Sequence, residues 1–219
     1  MKKFLLVMLV IGGLMMVGCD RKNSRSWLEN KFGNELSRVY PTENLEDLFE
    51  EFPDGFGINQ TLIRNNHFVE IELYGDESDN SISGSLVMKD LSTPSEKIIA
   101  DIPLRYERNS FTLSGVELAK EYWDFDGFLF QKLKVNSSLL SEMKLKDKSY
   151  NFQNGDMRTI YQLNNSEIEE YLKISNSKKY NLGFGGSDSN RGYYYTIFIE
   201  NQNDANEFYF SERVLDANN

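Results

Sequence analysis

The chain carries one cysteine, Cys19, and one histidine, His67, so few of its side chains could do covalent or metal chemistry. Cys19 stands in the more specific setting. Ahead of it come Lys2 and Lys3, then an uncharged apolar run from Phe4 to Val17, then Gly18. The run is shorter than the ~20 residues of a spanning helix and has the length and flanks of a secretory h-region. A plain export signal needs no cysteine at its end. A bacterial lipoprotein signal does, because that thiol takes a diacylglyceryl group and the leader is cut to make Cys19 the first residue. Met16 replaces the commoner Leu of the cleavage box, a mild apolar exchange. The expectation is a signal peptide at 1–18 and lipid on Cys19. Two or three acyl chains of ~15 methylenes, at ~0.8 kcal/mol each, give over ~20 kcal/mol of gross membrane transfer.

The remaining candidates are weaker. Serine and cysteine triads need a histidine base, and His67, on an apolar-flanked strand beside an Asn65-Asn66 turn, reads as packing or surface. Trp123-Asp124-Phe125-Asp126-Gly127 begins like a calcium loop, but Phe128 occupies the next ligand position and no glutamate closes the loop. Glu43, Glu46, Asp47, Glu50 and Glu51 cluster without a specified ligand geometry and read as a solvated helix face. Gly183-Phe184-Gly185-Gly186-Ser187 imitates a phosphate loop, yet Asp188 adds negative charge and a strand follows, so a flexible turn is expected. No catalytic residue, metal site or cofactor is expected from this inventory, and the ligand-binding residues, if any, are unknown.

Composition sets further bounds. The 219 residues less the 18 of the leader leave 201, enough for one domain with its own core. The leader holds two of the 24 basic residues and none of the 34 acids, so the mature chain has net charge −12. Such a surface repels nucleic-acid phosphates and anionic lipid headgroups, so neither is expected as a main partner. No cysteine is left for a disulfide once Cys19 is acylated, so the fold rests on packing.

The elements that position these residues follow from periodicity. Residues 19–26 read as the lipidated cysteine and a short tether, and 27–215 as a single domain. Ser26-Trp27-Leu28-Glu29 is a capping box opening a helix with Leu28, Phe32, Leu36 and Val39 on one face, ended by Pro41. Leu45, Leu48, Phe49 and Phe52 mark a second short helix. From Gln60 the period becomes two: strands are expected at 61–63, 67–74, 82–88, 97–106, 111–113, 128–133, 157–163, 180–184, 192–200 and 207–214. Pro103 argues for an edge or a bulge in its strand. Helices are expected at 116–123 and, from a second capping box at Ser166, through Lys173; 137–150 is ambiguous. Strands arriving as hairpins predict an α+β fold with a mainly antiparallel sheet and N-terminal and flanking helices. Tyr193 and Tyr195 alternate with Tyr194, and Phe208 and Phe210 with Tyr209. One face of that hairpin is therefore expected under helices, the other lining a concavity.

Five segments carry a resemblance: Tyr40 to Phe49 (YPTENLEDLF), Tyr161 to Asn165 (YQLNN), the glycine-rich Gly183 to Gly192, Tyr194-Tyr195-Thr196-Ile197, and Phe208 to Glu212 (FYFSE). Together with the Cys19 leader they resemble, in order over nearly the whole chain, the staphylococcal tandem lipoproteins; residues 56–115 match loosely. The resemblance implies a surface lipoprotein without known catalytic residues, associated with immune stimulation through its lipid and host-cell entry through its protein part. It also implies a curved, clam-like sheet with helices against it.

The expected function is therefore that of a non-enzymatic surface lipoprotein, held through Cys19 on the extracytoplasmic side of the cell membrane, with a host-surface protein as possible partner. The alternative is an extracytoplasmic binder of a small apolar or lipid ligand in a concave aromatic face, which a continuous apolar pocket would favour. An enzyme working through carboxylates would need two buried acids in one cleft.

Overall fold

The computed structural model describes residues 21–93, 95, 97–107, 110–113, 116–175, 179–189 and 192–217. The leader, 1–18, and Cys19 lie outside the described residues.

Ten strands build one open sheet: β1 (Phe56–Arg64), β2 (His67–Asp76), β3 (Ser81–Asp90), β4 (Lys97–Glu107), β5 (Ser110–Leu113), β6 (Leu145–Tyr150), β7 (Asp156–Gln162), β8 (Tyr180–Ser187), β9 (Tyr194–Asn201) and β10 (Phe208–Asp216). Their spatial order is β5-β4-β3-β2-β1-β10-β9-β8-β7-β6, and neighbours pair antiparallel throughout. The sheet is thus two five-strand meanders, β1–β5 and β6–β10, joined where β10 pairs with β1. The helices that lie wholly within the described residues are α1 (Arg25–Leu36), α2 (Leu48–Glu51) after a 3-10 turn at Leu45–Asp47, α3 (Val116–Tyr122), α4 (Ser137–Glu142) and α5 (Ser166–Leu172). The fold is α+β.

Alternation assigns the faces. Phe56, Ile58, Gln60 and Leu62 of β1 are buried, as are Val69, Ile71 and Leu73 of β2 and Phe208, Phe210, Glu212 and Val214 of β10. The β1–β2 hairpin closes through Asn65 and Asn66, with φ of 52° and 61°, the paired left-handed geometry that suits a two-residue turn and that asparagine tolerates. On the buried side α1 lays Leu28, Phe32 and Leu36 into the core, with the Phe32 ring 6.1 Å from Phe184 and 6.2 Å from Tyr195. Gly33 lets α4 approach: a Cβ there would lie 2.3 Å from the Ser137 amide nitrogen.

Several expectations need correction. The first helix is capped by Ser24, not Ser26. Glu29 does not reach back to a cap; it is taken by Arg25 Nε at 2.7 Å and by the Tyr161 hydroxyl at 3.2 Å. Within the expected tether Lys22 bonds Asp188, the Asn23 carbonyl accepts from Lys148 and Arg25 donates to the Ser141 and Met143 carbonyls, so this stretch is tied to the body at three points. Asn165, not Ser166, caps α5, accepting from the Ile168 amide at 3.0 Å; the shift of one residue puts Ile168, Tyr171 and Leu172 inward. Residues 128–133 are not a strand but a 3-10 turn at Leu129–Gln131, because the Leu129 and Phe130 amides bond a side chain rather than a ladder. Residues 145–150 form the edge strand β6. The strand expected at 180–184 runs on to Ser187, so Gly185 and Gly186 lie inside β8 rather than in a turn. Gly183 is needed there because the Phe198 ring fills its side-chain space, with a ring carbon 1.9 Å from where a Cβ would sit.

Pro103 does mark an edge. β5 pairs only with Leu104 to Glu107, so β4 is the outermost strand from Lys97 to Pro103. The β3–β4 register slips between Met88 and Lys89, leaving Ile99 as the extra residue, and the β6–β7 register slips between Leu145 and Asp147. Each outer edge therefore combines a bulge with lysine, the features that blunt strand-on-strand association.

Candidate functional site

The most constrained polar group in the described residues is Glu212. It stands in the inward row of β10 between Phe210 and Val214 and is 0% exposed. Its carboxylate accepts from the backbone amides of Leu129 and Phe130, each at 2.7 Å, from Gln60 Nε2 at 2.8 Å and from the Tyr40 hydroxyl at 3.2 Å. Gln60, on the neighbouring strand, accepts from Trp123 Nε1 at 2.8 Å and donates to the Tyr171 hydroxyl at 2.9 Å. Tyr171 in turn donates to the Gly127 carbonyl at 3.0 Å. Two strands, α5, the segment before α2 and the 123–130 segment are locked on one carboxylate.

Burial pushes the Glu212 carboxyl up to about 7, against hydrogen bonds from Gln60, Leu129, Phe130 and Tyr40 that favour its ionised form. The other buried acid, Glu29, has Arg25 and Tyr161 as partners and shares none with Glu212. The paired acids that carboxylate catalysis requires are therefore not formed by these two residues. Four converging donors on an enclosed carboxylate hold a loop in place; they present no group to a substrate.

Beside this network an open cleft of about 450 Å³ is bounded by Tyr106, Phe111, Trp123 and Phe125, with Glu43, Asp126, Gln131 and Lys132 on its polar side. The rings pack mainly on one another: Tyr106 and Phe111 are 5.1 Å apart, Phe111 and Trp123 5.8 Å. The Lys132–Asp126 pair, at 2.9 Å, closes one flank.

The sequence-predicted positions fall as follows. His67 packs its ring 5.0 Å from Tyr122. In the calcium-like stretch, Asp124 pairs with Lys173 and Asp126 with Lys132. Glu51 pairs with Arg38. Among the described residues no group of three acids, histidines or cysteines converges as a metal site, and no helix is long and apolar enough to cross a membrane. On the terminal hairpin, Tyr193, Tyr195, Phe208 and Phe210 are buried. The opposite face carries cations over its rings, Arg213 at 4.5 Å from Tyr194 and Arg158 at 4.8 Å from Phe198.

A second polar cluster lies where the chain enters the domain. Lys22 Nζ bonds Asp188 at 2.7 Å and the Tyr150 hydroxyl at 3.1 Å, and Lys31 reaches Asp188 at 3.3 Å. Partial burial would raise the Asp188 carboxyl, but hydrogen bonds from Lys22 and Lys31 prevail and hold it below its ordinary value.

Sequence reasoning did not single out Gln60 or Glu212. The signal was available: each is a polar residue flanked two positions away on both sides by apolar ones, Ile58 and Leu62 for Gln60 and Phe210 and Val214 for Glu212.

No protein-family model matches the chain, and no curated protein matches it.

Proposed function

We propose that the chain is a non-enzymatic bacterial surface lipoprotein of the staphylococcal tandem type, anchored by acyl chains on Cys19 to the outer side of the cell membrane. Its ten-stranded sheet is then the curved, clam-like body of that family, and its exposed surface meets a host-cell protein. One observation carries this reading: the sole cysteine stands at the end of a Lys-Lys-led apolar leader of export length. Two further features support it. Tyr40 of the YPTENLEDLF segment and Glu212 of the FYFSE segment, both quoted for the family resemblance, meet in the buried network. The inner aromatic face of the terminal hairpin is taken up by packing, and arginines lie over the outer rings, which favours a folded presenter of surface over a binder with an apolar cavity.

The test has two arms. Cys19→Ala should abolish incorporation of a labelled fatty acid and processing of the leader; membrane retention of a variant whose leader has been removed would place the anchor elsewhere. Beads coated with the unlipidated domain should be taken up by host cells more than beads coated with an unrelated domain of equal negative charge. Equal uptake would reduce the domain to a spacer that displays its lipid.

A further inference from the structure

We propose that the surface made by Trp27, Tyr150 and Phe152 around Lys22 is the face that the protein lays against the lipid bilayer. The proposal rests on the reading of Cys19 as the acylated residue and adds an orientation to it.

The first argument is chain length. Only Asp20 and Arg21 separate Cys19 from Lys22, and three steps of ~3.3–3.6 Å reach no more than ~11 Å. Lys22 is fixed on the body through Asp188 and Tyr150. The next residue is held too, since Lys148 Nζ donates to the Asn23 carbonyl, and α1 starts at Arg25. The tether is therefore used up before it can act as a swivel. Headgroups occupy ~5–8 Å on each side of a bilayer's hydrocarbon core, so an acylated Cys19 brings the Lys22 surface to the lipid interface.

The second argument is what that surface presents. Phe152 stands on the β6–β7 turn and is 51% exposed. Its ring lies 4.8 Å from Tyr150, which packs edge-on against Trp27 at 5.5 Å. Rings of this kind partition to the interface, where one side is apolar and the other wet. Lys22 sits over both Trp27 and Tyr150, at 5.6 and 5.3 Å. A shallow recess of about 580 Å³ beside Phe152 also takes in Asp156 and Arg158, so the patch is charge-balanced while the mature domain is strongly acidic. The acyl chains hold the protein at the membrane; this patch decides which side faces down. Among the described residues the other large apolar side chains with more than half their surface exposed, Tyr74 at 58% and Ile98 at 62%, lie on β2 and β4 in the other meander.

Acylation of Cys19 consumes the only native thiol, which leaves an introduced cysteine uniquely reactive. The full-length lipidated protein carrying Phe152→Cys or Tyr74→Cys would be nitroxide-labelled and reconstituted in phosphatidylcholine vesicles with and without phosphatidylglycerol. Collision with lipid-dissolved oxygen and with an aqueous nickel chelate is then measured at each site. The expected result is a several-fold lower nickel collision rate and a higher oxygen rate at 152 than at 74, in both vesicle types. Equal values at the two sites in protein that floats with the vesicles overturn the orientation and leave the anchor standing. Protection at 152 that grows with protein density at fixed lipid also overturns it, in favour of contact between copies. Protein that fails to float overturns the Cys19 reading and the orientation together.

Discussion

The hydroxyl of Tyr40 donates to the carboxylate of Glu212 across 3.2 Å, joining residues 172 apart in the chain. That bond fastens the segment before the first strand to the last strand of the sheet, inside a core where both groups are enclosed. Burial, together with the negative charge of Glu212, raises the Tyr40 hydroxyl well above its ordinary value, so it remains a donor at any working pH.

Glu212 should make stability depend on pH between 5 and 8. Its carboxyl is pushed up to about 7 from an ordinary 4.5, so folding favours its protonated form. The stabilisation is fully present below pH 4.5 and is lost as pH rises through 7, by on the order of 3 kcal/mol. Glu212→Gln should lower stability at pH 5 by ~1–3 kcal/mol, because its amide faces a backbone N–H, and should flatten the profile above it. Denaturant melts of both proteins across that range check this; a flat wild-type profile contradicts it.

Tyr40→Phe should cost ~0.5–1.5 kcal/mol. Removing one donor from the ionised carboxylate should also push the Glu212 carboxyl up further, so that the pH-dependent loss of stability becomes larger and runs on to higher pH. Urea melts at pH 5, 6, 7 and 8 read both effects. A uniform offset at all four values would mean that the hydroxyl does not act through Glu212.

Two glycines of β8 should respond oppositely. At Gly183 an added Cβ collides with the Phe198 ring, whereas at Gly185 nothing lies within 4 Å. Gly183→Ala should therefore destabilise by ~1–3 kcal/mol, and Gly185→Ala should be neutral or stabilise by up to ~1 kcal/mol. Phe198→Ala should recover part of the Gly183→Ala loss, since it empties the space the new methyl enters. Thermal melts of the four variants decide it.

Ending the chain after Asn190 should abolish cooperative unfolding. The cut removes β9 and β10, and with β10 the only strand pairing between the two meanders among the described residues. Each buried side chain lost forfeits ~1.5–3 kcal/mol, so Tyr195, Ile197, Ile199, Phe208, Phe210 and Val214 together forfeit ~9–18 kcal/mol, as much as the ~5–15 kcal/mol that holds a domain. A sharp melt in the truncated protein would show the hairpin to be an appendage.

How much of this was legible depended on whether the information was local. The β1–β2 hairpin, the terminal hairpin and the α1 face could be read because alternation and helical spacing are written within ten residues. The 128–133 run defeated the same reading: its apolar side chains look like a strand, and only Glu212, far away in sequence, turns its amides away from a ladder. The need for glycine at 183, inside the strand expected at 180–184, was hidden for the same reason, since the ring that requires it belongs to the next strand. Caps slipped by one or two residues where Ser24 and Asn165 competed with equally good neighbours. The Lys22–Asp188 contact was not legible either, because its two partners lie 166 residues apart in the chain.

The strand order has a consequence for how such a chain is made. Gln60 and Glu212, bonded across the join between the meanders, lie 152 residues apart. While the chain is being synthesised, β1 lacks its β10 neighbour until β10 emerges, and a contact that distant forms late. The two meanders can form hairpin by hairpin from local contacts, but their union waits for nearly the whole polypeptide, so the strand made last is the one that closes the sheet.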